Sequence, residues 1–176
     1  MKLYQSTVLN NIDQFQCNPG AQHDLMRDHA GTFLMWKLIE YFQPQSILEI
    51  GFGCGQSLGL MIEASKECKR IVSVDHNFGL FGGDNGKENF IKLFPKYTVD
   101  FIEIDSKKLN LNEQFDFISI DGDHTYEGAS NDIKTCLPLL HKNSILWIRA
   151  SSCTGRFRQD SRRSPSGWPT TSACRG

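Results

Sequence analysis

The chain has 176 residues, of which 39% are hydrophobic and 22% charged, and its formal net charge is −1. These values fit one globular domain, and the lack of a basic excess gives no support to nucleic-acid binding. No stretch of 18 apolar residues is present, so no membrane span is predicted. Residues 1–16 lack a signal-peptide core and the six cysteines form no C-x-x-C pair. We therefore expect reduced thiols in a cytoplasmic protein, not a zinc or redox motif.

Short apolar runs alternate with longer helical patterns along the chain. Residues 1–21 show no clear period and form a predicted N-terminal extension. Apolar residues at helical spacing predict a first helix over 22–42, which Pro44 ends. Five strands and three more helices follow, in the order strand 46–50, helix 57–64, strand 70–74, helix 87–94, strand 98–104, strand 115–120, helix 127–140 and strand 144–148. The alternation indicates βαβ units and a parallel sheet covered by helices on both faces.

Distinctive polar or glycine-rich segments follow four of the predicted strands. The segment 51–55 follows the first strand, Asp75 the second, Asp105 the third and the segment 121–124 the fourth. In open parallel sheets, ligands bind outside the carboxyl ends of the strands. We therefore expect these residues to share one edge of the sheet.

The first of these segments, Glu49-Ile-Gly51-Phe-Gly53-Cys-Gly55, leads from a strand into a helix. Glycines let the backbone turn sharply and approach a ligand closely, and free amides at a helix start favour an anionic group. The third glycine comes one residue too early for a dinucleotide fingerprint, which needs glycine where Gln56 stands. The P-loop sequence Gly-Lys-Ser/Thr is absent, and Glu49 suits a cationic ligand such as an amine or a sulfonium.

The pattern E-x-G-x-G-x-G after a first strand resembles the hallmark motif of class I S-adenosylmethionine-dependent methyltransferases. The resemblance implies a Rossmann-like three-layer α/β sandwich with a mainly parallel sheet in strand order 3-2-1-4-5. It also implies that the methionine portion of the cofactor lies against Gly51, Gly53 and Gly55, with Glu49 near its amino-acid end. Asp75 matches the acid that binds both ribose hydroxyls, and a carboxylate can accept two such hydrogen bonds at once.

The segment after the third strand and the loop after the second carry weaker signals. Asp105 and Ser106 match the place of a family acid that contacts the adenine amino group, although Asp105 fits a helix cap equally well. The loop 76–86 is either a lid over the substrate or an ordinary connection. Cys54 has no His-paired nucleophile arrangement around it, and we interpret it as a small filler.

The segment 121–128 (DGDHTYEG) joins the fourth strand to the next helix. It resembles a subgroup of small-molecule O-methyltransferases that includes the macrolide-sugar methyltransferases and their cephalosporin-hydroxylase-like relatives. The resemblance implies that Asp121 ligates a divalent metal, commonly Mg²⁺, and that His124 is the general base on the acceptor hydroxyl. A hard cation lowers the pKa of a hydroxyl, and a histidine can take its proton. The alternative is that Asp121 and Asp123 cap the helix and that His124 packs.

The resemblance covers residues 22–148 and stops there. In metal-dependent relatives the fifth strand ends in acids that complete the metal site, whereas here Arg149 follows. The tail 149–176 shows no strand alternation, so strands 6 and 7 of the fold are missing from the pattern. Residues 1–148 hold 11 Lys and two Arg, whereas the tail holds six Arg and no Lys. This switch favours a shifted reading frame or appended sequence over a true disordered basic tail.

The sequence thus predicts an S-adenosylmethionine-dependent methyltransferase that acts, with metal assistance, on a hydroxyl of a small acceptor such as a sugar. Neither a nucleic acid nor a membrane is a predicted partner. The break at residue 149 leaves the cofactor residues intact but removes an expected metal ligand, so impaired catalysis is expected. The alternative is a Rossmann-like, cephalosporin-hydroxylase-like cofactor-binding protein without methyl transfer, and Gln56 disfavours a dehydrogenase.

Overall fold

The computed structural model describes residues 3–11, 15, 29–82 and 86–149. Within them the strands are β1 (Ser46–Ile50), β2 (Arg70–Asp75), β3 (Asp100–Glu103), β4 (Phe115–Ile120) and β5 (Leu140–Ile148). The α-helices are α1 (Thr7–Asn10), α2 (His29–Phe42), α3 (Gln56–Ser65), α4 (Gly79–Gly82), α5 (Gly86–Leu93) and α6 (Tyr126–Cys136). Short 3-10 turns lie at Leu3–Gln5, Ser106–Lys108 and Leu137–Leu139. In this part of the chain no helix is both long and apolar enough to cross a bilayer.

The five strands form one parallel sheet in the order β3-β2-β1-β4-β5, which confirms the predicted topology. The register brings the carboxyl ends together, because Ile50 of β1 pairs with both Val74 of β2 and Ile120 of β4. The predicted loss of strands 6 and 7 concerns the tail, and residues 150–176 lie outside the described part of the chain.

Two hydrophobic cores lie on opposite faces of the sheet, as the predicted sandwich requires. Successive residues of a strand point to opposite faces, so Ile47 of β1 packs with α2 and α3, whereas Leu48 packs on the side of α6. Both side chains are fully buried. The hydrophobic runs of the central strands therefore reflect burial on both faces, which is typical of a parallel sheet.

Among the described residues, the largest differences from the predicted boundaries lie around α6, and residues 22–28 of the predicted first helix lie outside the described part of the chain. The predicted helix 127–140 ends at Cys136, and Pro138 lies in the 3-10 turn that follows. Proline lacks a backbone N–H, so residue 138 cannot donate the next hydrogen bond of the α-helix, although Leu137 still has helical dihedral angles. The strand β5 then begins at Leu140 instead of residue 144, and its pairing with β4 shifts between Phe115 and Phe117.

The described part of the N-terminal extension packs against α3. The backbone amide of Thr7 donates to both carboxylate oxygens of Glu63, at 3.0 and 2.9 Å. A methyl group of Val8 lies so close to Gly59 that a Cβ there would come within 2.6 Å of it. The carbonyl of Phe15 accepts a hydrogen bond of 2.9 Å from the Gln56 side chain. Helix α3 is therefore held between this segment and the sheet.

A network of charged side chains joins the strands at their amino ends. Asp116 of β4 accepts hydrogen bonds from the amide of Gln45 (2.7 Å) and contacts His141 Nε2 of β5 (2.9 Å). Burial acts to raise the pKa of Asp116, but these hydrogen bonds outweigh it and hold the pKa below its ordinary value. Arg70 of β2 forms an ion pair with Glu113 (2.7 Å), which lowers the pKa of that glutamate.

Candidate functional site

A cavity of about 910 Å³ opens at the carboxyl ends of the central strands. Its walls come from the glycine segment after β1, the end of β2, the 3-10 turn after β3 and the loop between β4 and α6. Most of the predicted site residues line it, namely Gly51, Gly53, Asp75, Asp105, Ser106, Asp121 and His124. Glu49 and Gly55 are not among the lining residues. The edge chosen from the sequence is therefore the edge that carries the cavity.

The three glycines of the segment after β1 all have positive φ, for different local reasons. At Gly51 (φ 93°) a Cβ would lie 2.3 Å from the carbonyl oxygen of Asp121. The backbone segments that directly follow β1 and β4 are therefore too close for a side chain at residue 51. At Gly55 (φ 82°) a Cβ would meet the rings of Phe52 and Phe90 within 2.9 Å. At Gly53 (φ 56°) a Cβ would meet nothing within 4 Å, so only the backbone conformation requires glycine.

Asp75, the last residue of β2, is buried and directed at the glycine segment. Its Oδ2 accepts from the amides of Phe52 (2.9 Å) and Gly53 (3.3 Å), and its Oδ1 from the amide of Asn77 (2.9 Å). The ring nitrogen Nδ1 of His76 lies 3.4 Å from Oδ1. The carboxylate thus has a fixed orientation at the cavity wall before any ligand binds.

Glu49 lies beneath the glycine segment, with none of its surface exposed. Its two oxygens accept hydrogen bonds from Ser57 (2.7 Å) and Ser73 (2.8 Å). Burial raises the pKa of Glu49 to about 8, and the two serine hydroxyls only partly offset it. In this conformation Glu49 connects β1, β2 and α3. Its place near the amino-acid end of the cofactor stays a prediction from the resemblance.

The sequence left a helix cap and a cofactor contact as alternatives for Asp105, in the turn after β3. Asp105 caps the 3-10 turn by accepting from the amide of Lys107 (3.0 Å) and also lines the cavity. The hydroxyl of Ser106 donates a short hydrogen bond to Asp132 of α6. Burial raises the pKa of Asp132 above its ordinary value, against the opposing effect of that hydrogen bond.

Three charged or titratable side chains meet at the end of β4. Arg149 Nη1 donates to Oδ2 of Asp121 at 3.1 Å, and His124 Nε2 lies 3.6 Å from Oδ1 of the same carboxylate. The amide of Arg149 also donates to the carbonyl of Ile120 (2.9 Å), continuing the pairing of β5 with β4. Arg149, which the sequence assigns to the atypical tail, therefore contributes to the cavity wall.

The side chains around Asp121 do not match a divalent-metal site. Mg²⁺ prefers several oxygen ligands, whereas the two oxygens of Asp121 face the cationic Arg149 and the ring of His124. Among the residues that the structure describes, no group of three or more His, Cys, Asp or Glu side chains is placed to hold a metal ion. Metal ligation by Asp121 stays a prediction from the resemblance.

The cap of α6 comes from a residue other than the two acids considered in the sequence. The side chain of Thr125 accepts from the amide of Gly128 (3.0 Å). Asp123 supports this turn by accepting from the amide of Thr125 (2.9 Å), which lowers the pKa of Asp123. A Cβ at Gly128 would lie 2.2 Å from the carboxyl carbon of Asp123, so only glycine fits there. Asp121 is therefore not the cap of α6, and its carboxylate contacts Arg149 and lies near His124.

Sequence reasoning missed several residues of the cavity wall, among them Lys107, Asp132 and Arg149. One signal was available for Asp132. It lies on the buried stripe of α6 with Gly128 and Cys136, at intervals of four residues. An acid on the core-facing stripe of a helix is uncommon unless it is paired. Lys107 lies within a 3-10 turn and Arg149 follows the end of β5, and neither residue carries a comparable signal in the sequence.

A parallel sheet in this order, a glycine segment after β1 and a buried acid at the end of β2 define a Rossmann-like domain built for a nucleotide-type cofactor. Residues 48–148 match the family described as methyltransferase domain, and the chain belongs to that family. No curated protein matches the chain.

Solved methyltransferase structures share the fold. An SAH-bound methyltransferase of Podospora anserina is 23% identical with a TM-score of 0.53, covering 66% of this chain and 50% of its own. The N-methyltransferase NodS from Bradyrhizobium japonicum is 15% identical (TM-score 0.54; 71% and 68% covered). A sugar N-methyltransferase of a Streptoalloteichus species is 16% identical (TM-score 0.51; 76% and 55% covered). The chain spans only about half the length of the first of these. The fold is that of S-adenosylmethionine-dependent methyltransferases.

Proposed function

We propose that this protein transfers a methyl group from S-adenosylmethionine to a hydroxyl of a small-molecule acceptor. One observation carries the proposal. A single cavity of about 910 Å³ brings together the glycine segment, the carboxylate of Asp75 and the imidazole of His124. Its size is in the usual range for small-molecule and cofactor sites. The two halves of the predicted site therefore face one space large enough for a cofactor beside an acceptor.

The residues on the β1 and β2 side fit the cofactor. The backbone of Gly51 and Gly53 lies at the cavity wall with no Cβ in the way. Asp75 offers an oriented carboxylate to a diol such as that of ribose. Asp105 and Ser106, which follow the neighbouring strand β3, are the proposed neighbours of the base. S-adenosylmethionine, when bound, would supply an electrophilic methyl group on a sulfonium, whose carbon–sulfur bond breaks on transfer to leave neutral S-adenosylhomocysteine.

The residues at the end of β4 fit proton removal from an acceptor. His124 lines the cavity and is the proposed general base, which takes the hydroxyl proton as the oxygen attacks the methyl carbon. Asp121 is the proposed partner that orients this base, because its Oδ1 lies 3.6 Å from Nε2 of His124. Arg149 in turn holds Asp121 in place. These side chains supply both a base and its partner for the removal of the hydroxyl proton.

The first experiment is calorimetric titration of S-adenosylhomocysteine into the purified chain. We expect saturable binding by the wild type and at least about tenfold weaker binding by Asp75→Ala, because loss of hydrogen bonds to a charged group has that size. Asp116→Asn is the matched control, since it changes an acid of similar hydrogen bonding at the opposite end of the sheet. A well-folded wild-type chain that binds no S-adenosylhomocysteine would contradict the proposal.

Turnover with labelled S-adenosylmethionine and a panel of small hydroxylated and amine acceptors separates the remaining alternatives. We expect His124→Ala to lower the rate about 10²-fold or more while cofactor binding persists. Unchanged rates after EDTA treatment would argue against metal assistance, which the resemblance predicts. Cofactor binding without any turnover would favour the alternative of a cephalosporin-hydroxylase-like binding protein, or the predicted effect of the C-terminal break. A cytoplasmic location remains a prediction from the sequence.

A further inference from the structure

Asp132 is an acid on the buried face of α6, and only 3% of its surface is exposed. Its neighbours along that face are Gly128 and Cys136, which are also buried. An apolar residue would fill such a position without the penalty of burying a carboxyl group. The carboxyl group instead lines the cavity, between the loop after β3 and the loop after β4. Its presence there calls for a role in polar contacts.

The contacts of Asp132 bridge two loops that have no covalent connection nearby. Ser106, in the turn after β3, donates its hydroxyl hydrogen to Oδ1. The second oxygen, Oδ2, faces Gly122, where a Cβ would come within 2.7 Å of it. The helix therefore holds both loops through a single carboxyl group.

Both loops line the cavity, and they follow strands on either side of the central pair β2 and β1. Asp105 and Ser106 lie on the β3 side, and Gly122 and Asp123 on the β4 side. The strands β3 and β4 are not neighbours, because β2 and β1 lie between them in the sheet. Backbone pairing therefore does not fix the distance between these loops directly. A side chain that contacts both loops therefore limits how far apart they can lie. A flat ring bound at this end of the cavity would enter the space between them.

We infer that Asp132 is a positioning residue for the cofactor, which sets the width of the base-binding end of the cavity by holding Ser106 and the Gly122–Asp123 loop. The inference rests on the proposed function, because it assigns that end of the cavity to the base of S-adenosylmethionine. Asp132 acts through its neighbours and need not touch the ligand. Its loss is expected to weaken cofactor binding more than it changes the fold of the sheet.

The test measures S-adenosylhomocysteine affinity by calorimetry for three variants alongside the wild-type chain. Asp132→Leu keeps the number and branching of the side-chain heavy atoms but removes both acceptors, and we expect at least about tenfold weaker binding. Asp132→Asn keeps one acceptor oxygen for the hydroxyl of Ser106, and we expect it to restore most of the affinity. Ser106→Ala removes one of the two held loops, and we expect an intermediate loss of a few-fold.

Structural controls keep the result interpretable. Asp116→Asn, at the amino end of the sheet, is expected to leave the affinity unchanged, and thermal unfolding is recorded for every variant. If Asp132→Leu does not fold, Ser106→Ala decides, and wild-type affinity in that variant overturns the inference. Equal losses in Asp132→Leu and Asp132→Asn also overturn it, since acceptor geometry would then not matter. Failure of the wild-type chain to bind S-adenosylhomocysteine instead contradicts the proposed function itself.

Discussion

The two ends of the parallel sheet carry similar side chains but differ in what those side chains do. At the amino ends, Asp116 is paired with His141, and Arg70 with Glu113. At the carboxyl ends, Asp121 lies between Arg149 and His124. The cavity opens only beside the second group among the described residues, where the glycine segment replaces side chains with backbone. Paired charges alone therefore do not mark a site, whereas paired charges beside a glycine-lined space do.

The carboxyl groups of the charged pairs at the amino ends and the buried carboxyl groups near the cavity differ in the direction of their pKa shifts. At the amino ends, hydrogen bonds lower the pKa of Asp116 despite the effect of burial, and the ion pair with Arg70 lowers the pKa of Glu113. Towards the carboxyl ends, burial raises the pKa of Glu49 and of Asp132. At the amino ends, ionisation of Asp116 and Glu113 therefore stabilises the fold. Near the carboxyl ends, ionisation of the buried acids Glu49 and Asp132 lowers the free energy of unfolding. Perturbation in that direction is common at functional sites.

The largest effect is expected for Gly51→Ala, which tests the backbone contact between β1 and β4. A Cβ at this residue would lie 2.3 Å from the carbonyl oxygen of Asp121, and its φ of 93° disfavours any other residue. We expect a loss of about 3 kcal/mol or more in the free energy of unfolding, and no S-adenosylhomocysteine binding. Urea denaturation and calorimetry measure the two quantities.

Gly53→Ala is the matched control for that prediction. The same segment, a positive φ and the same substitution are involved, but a Cβ at Gly53 would meet nothing within 4 Å. We expect a loss of only about 1 kcal/mol, from the backbone conformation alone. Similar losses in both variants would mean that the contact with Asp121 is not what makes glycine necessary.

The second prediction concerns Glu49→Gln and pH. The pKa of Glu49 rises from its ordinary value of 4.5 to about 8 in the folded protein, mainly through burial. Its contribution to stability is therefore complete below about pH 4.5 and is lost as the pH rises through 8. Gln imitates the protonated group, so we expect the variant to exceed the wild type by an amount on the order of 2–4 kcal/mol at pH 9. Denaturation between pH 5 and pH 9 measures this, and parallel curves would contradict it.

The smallest effect is expected for Asp116→Asn, with the opposite dependence on pH. The folded-state pKa of Asp116 is lowered, so its contribution is present above the ordinary value of 3.8 and is lost as the pH falls through the folded value. The side chain is about one-third exposed, so we expect a loss of only about 1 kcal/mol at pH 7. The difference from wild type should shrink below pH 4, and a difference that grows in acid would exclude this explanation.

The sequence was sufficient for most of the fold because the signals were local. The bounds of β1 and β4 match the predicted runs 46–50 and 115–120, where buried residues alternate between two cores. The start of β5 was predicted at residue 144, too late, because polar residues follow Leu140 where the pairing with β4 is irregular, at the edge of the described sheet. Edge strands are half exposed, so their composition resembles that of a loop.

The site was predictable where one short segment carries it and not where distant segments meet. Asp75 and the glycine segment follow adjacent strands, and their contact through the amide of Phe52 follows from the topology. The bond between Ser106 and Asp132 joins two elements that no local pattern relates. The role of Asp121 was also open, because its pairing with Arg149 depends on how β5 ends. Contacts between side chains of elements that are distant in sequence could therefore not be predicted from sequence patterns alone.

The hydrogen bonds of Asp75 have a consequence for how a diol is accommodated. A carboxylate offers roughly four lone-pair directions, and amides of Phe52, Gly53 and Asn77 already use three of them. Two hydroxyls that arrive together therefore compete with one of these amides for an acceptor. The bond to Gly53 is the longest at 3.3 Å, and the space around that residue is open. If Asp75 binds ribose as proposed, the strength of that binding is thus set by how readily the Gly53 amide can move away as well as by the charge of the acid.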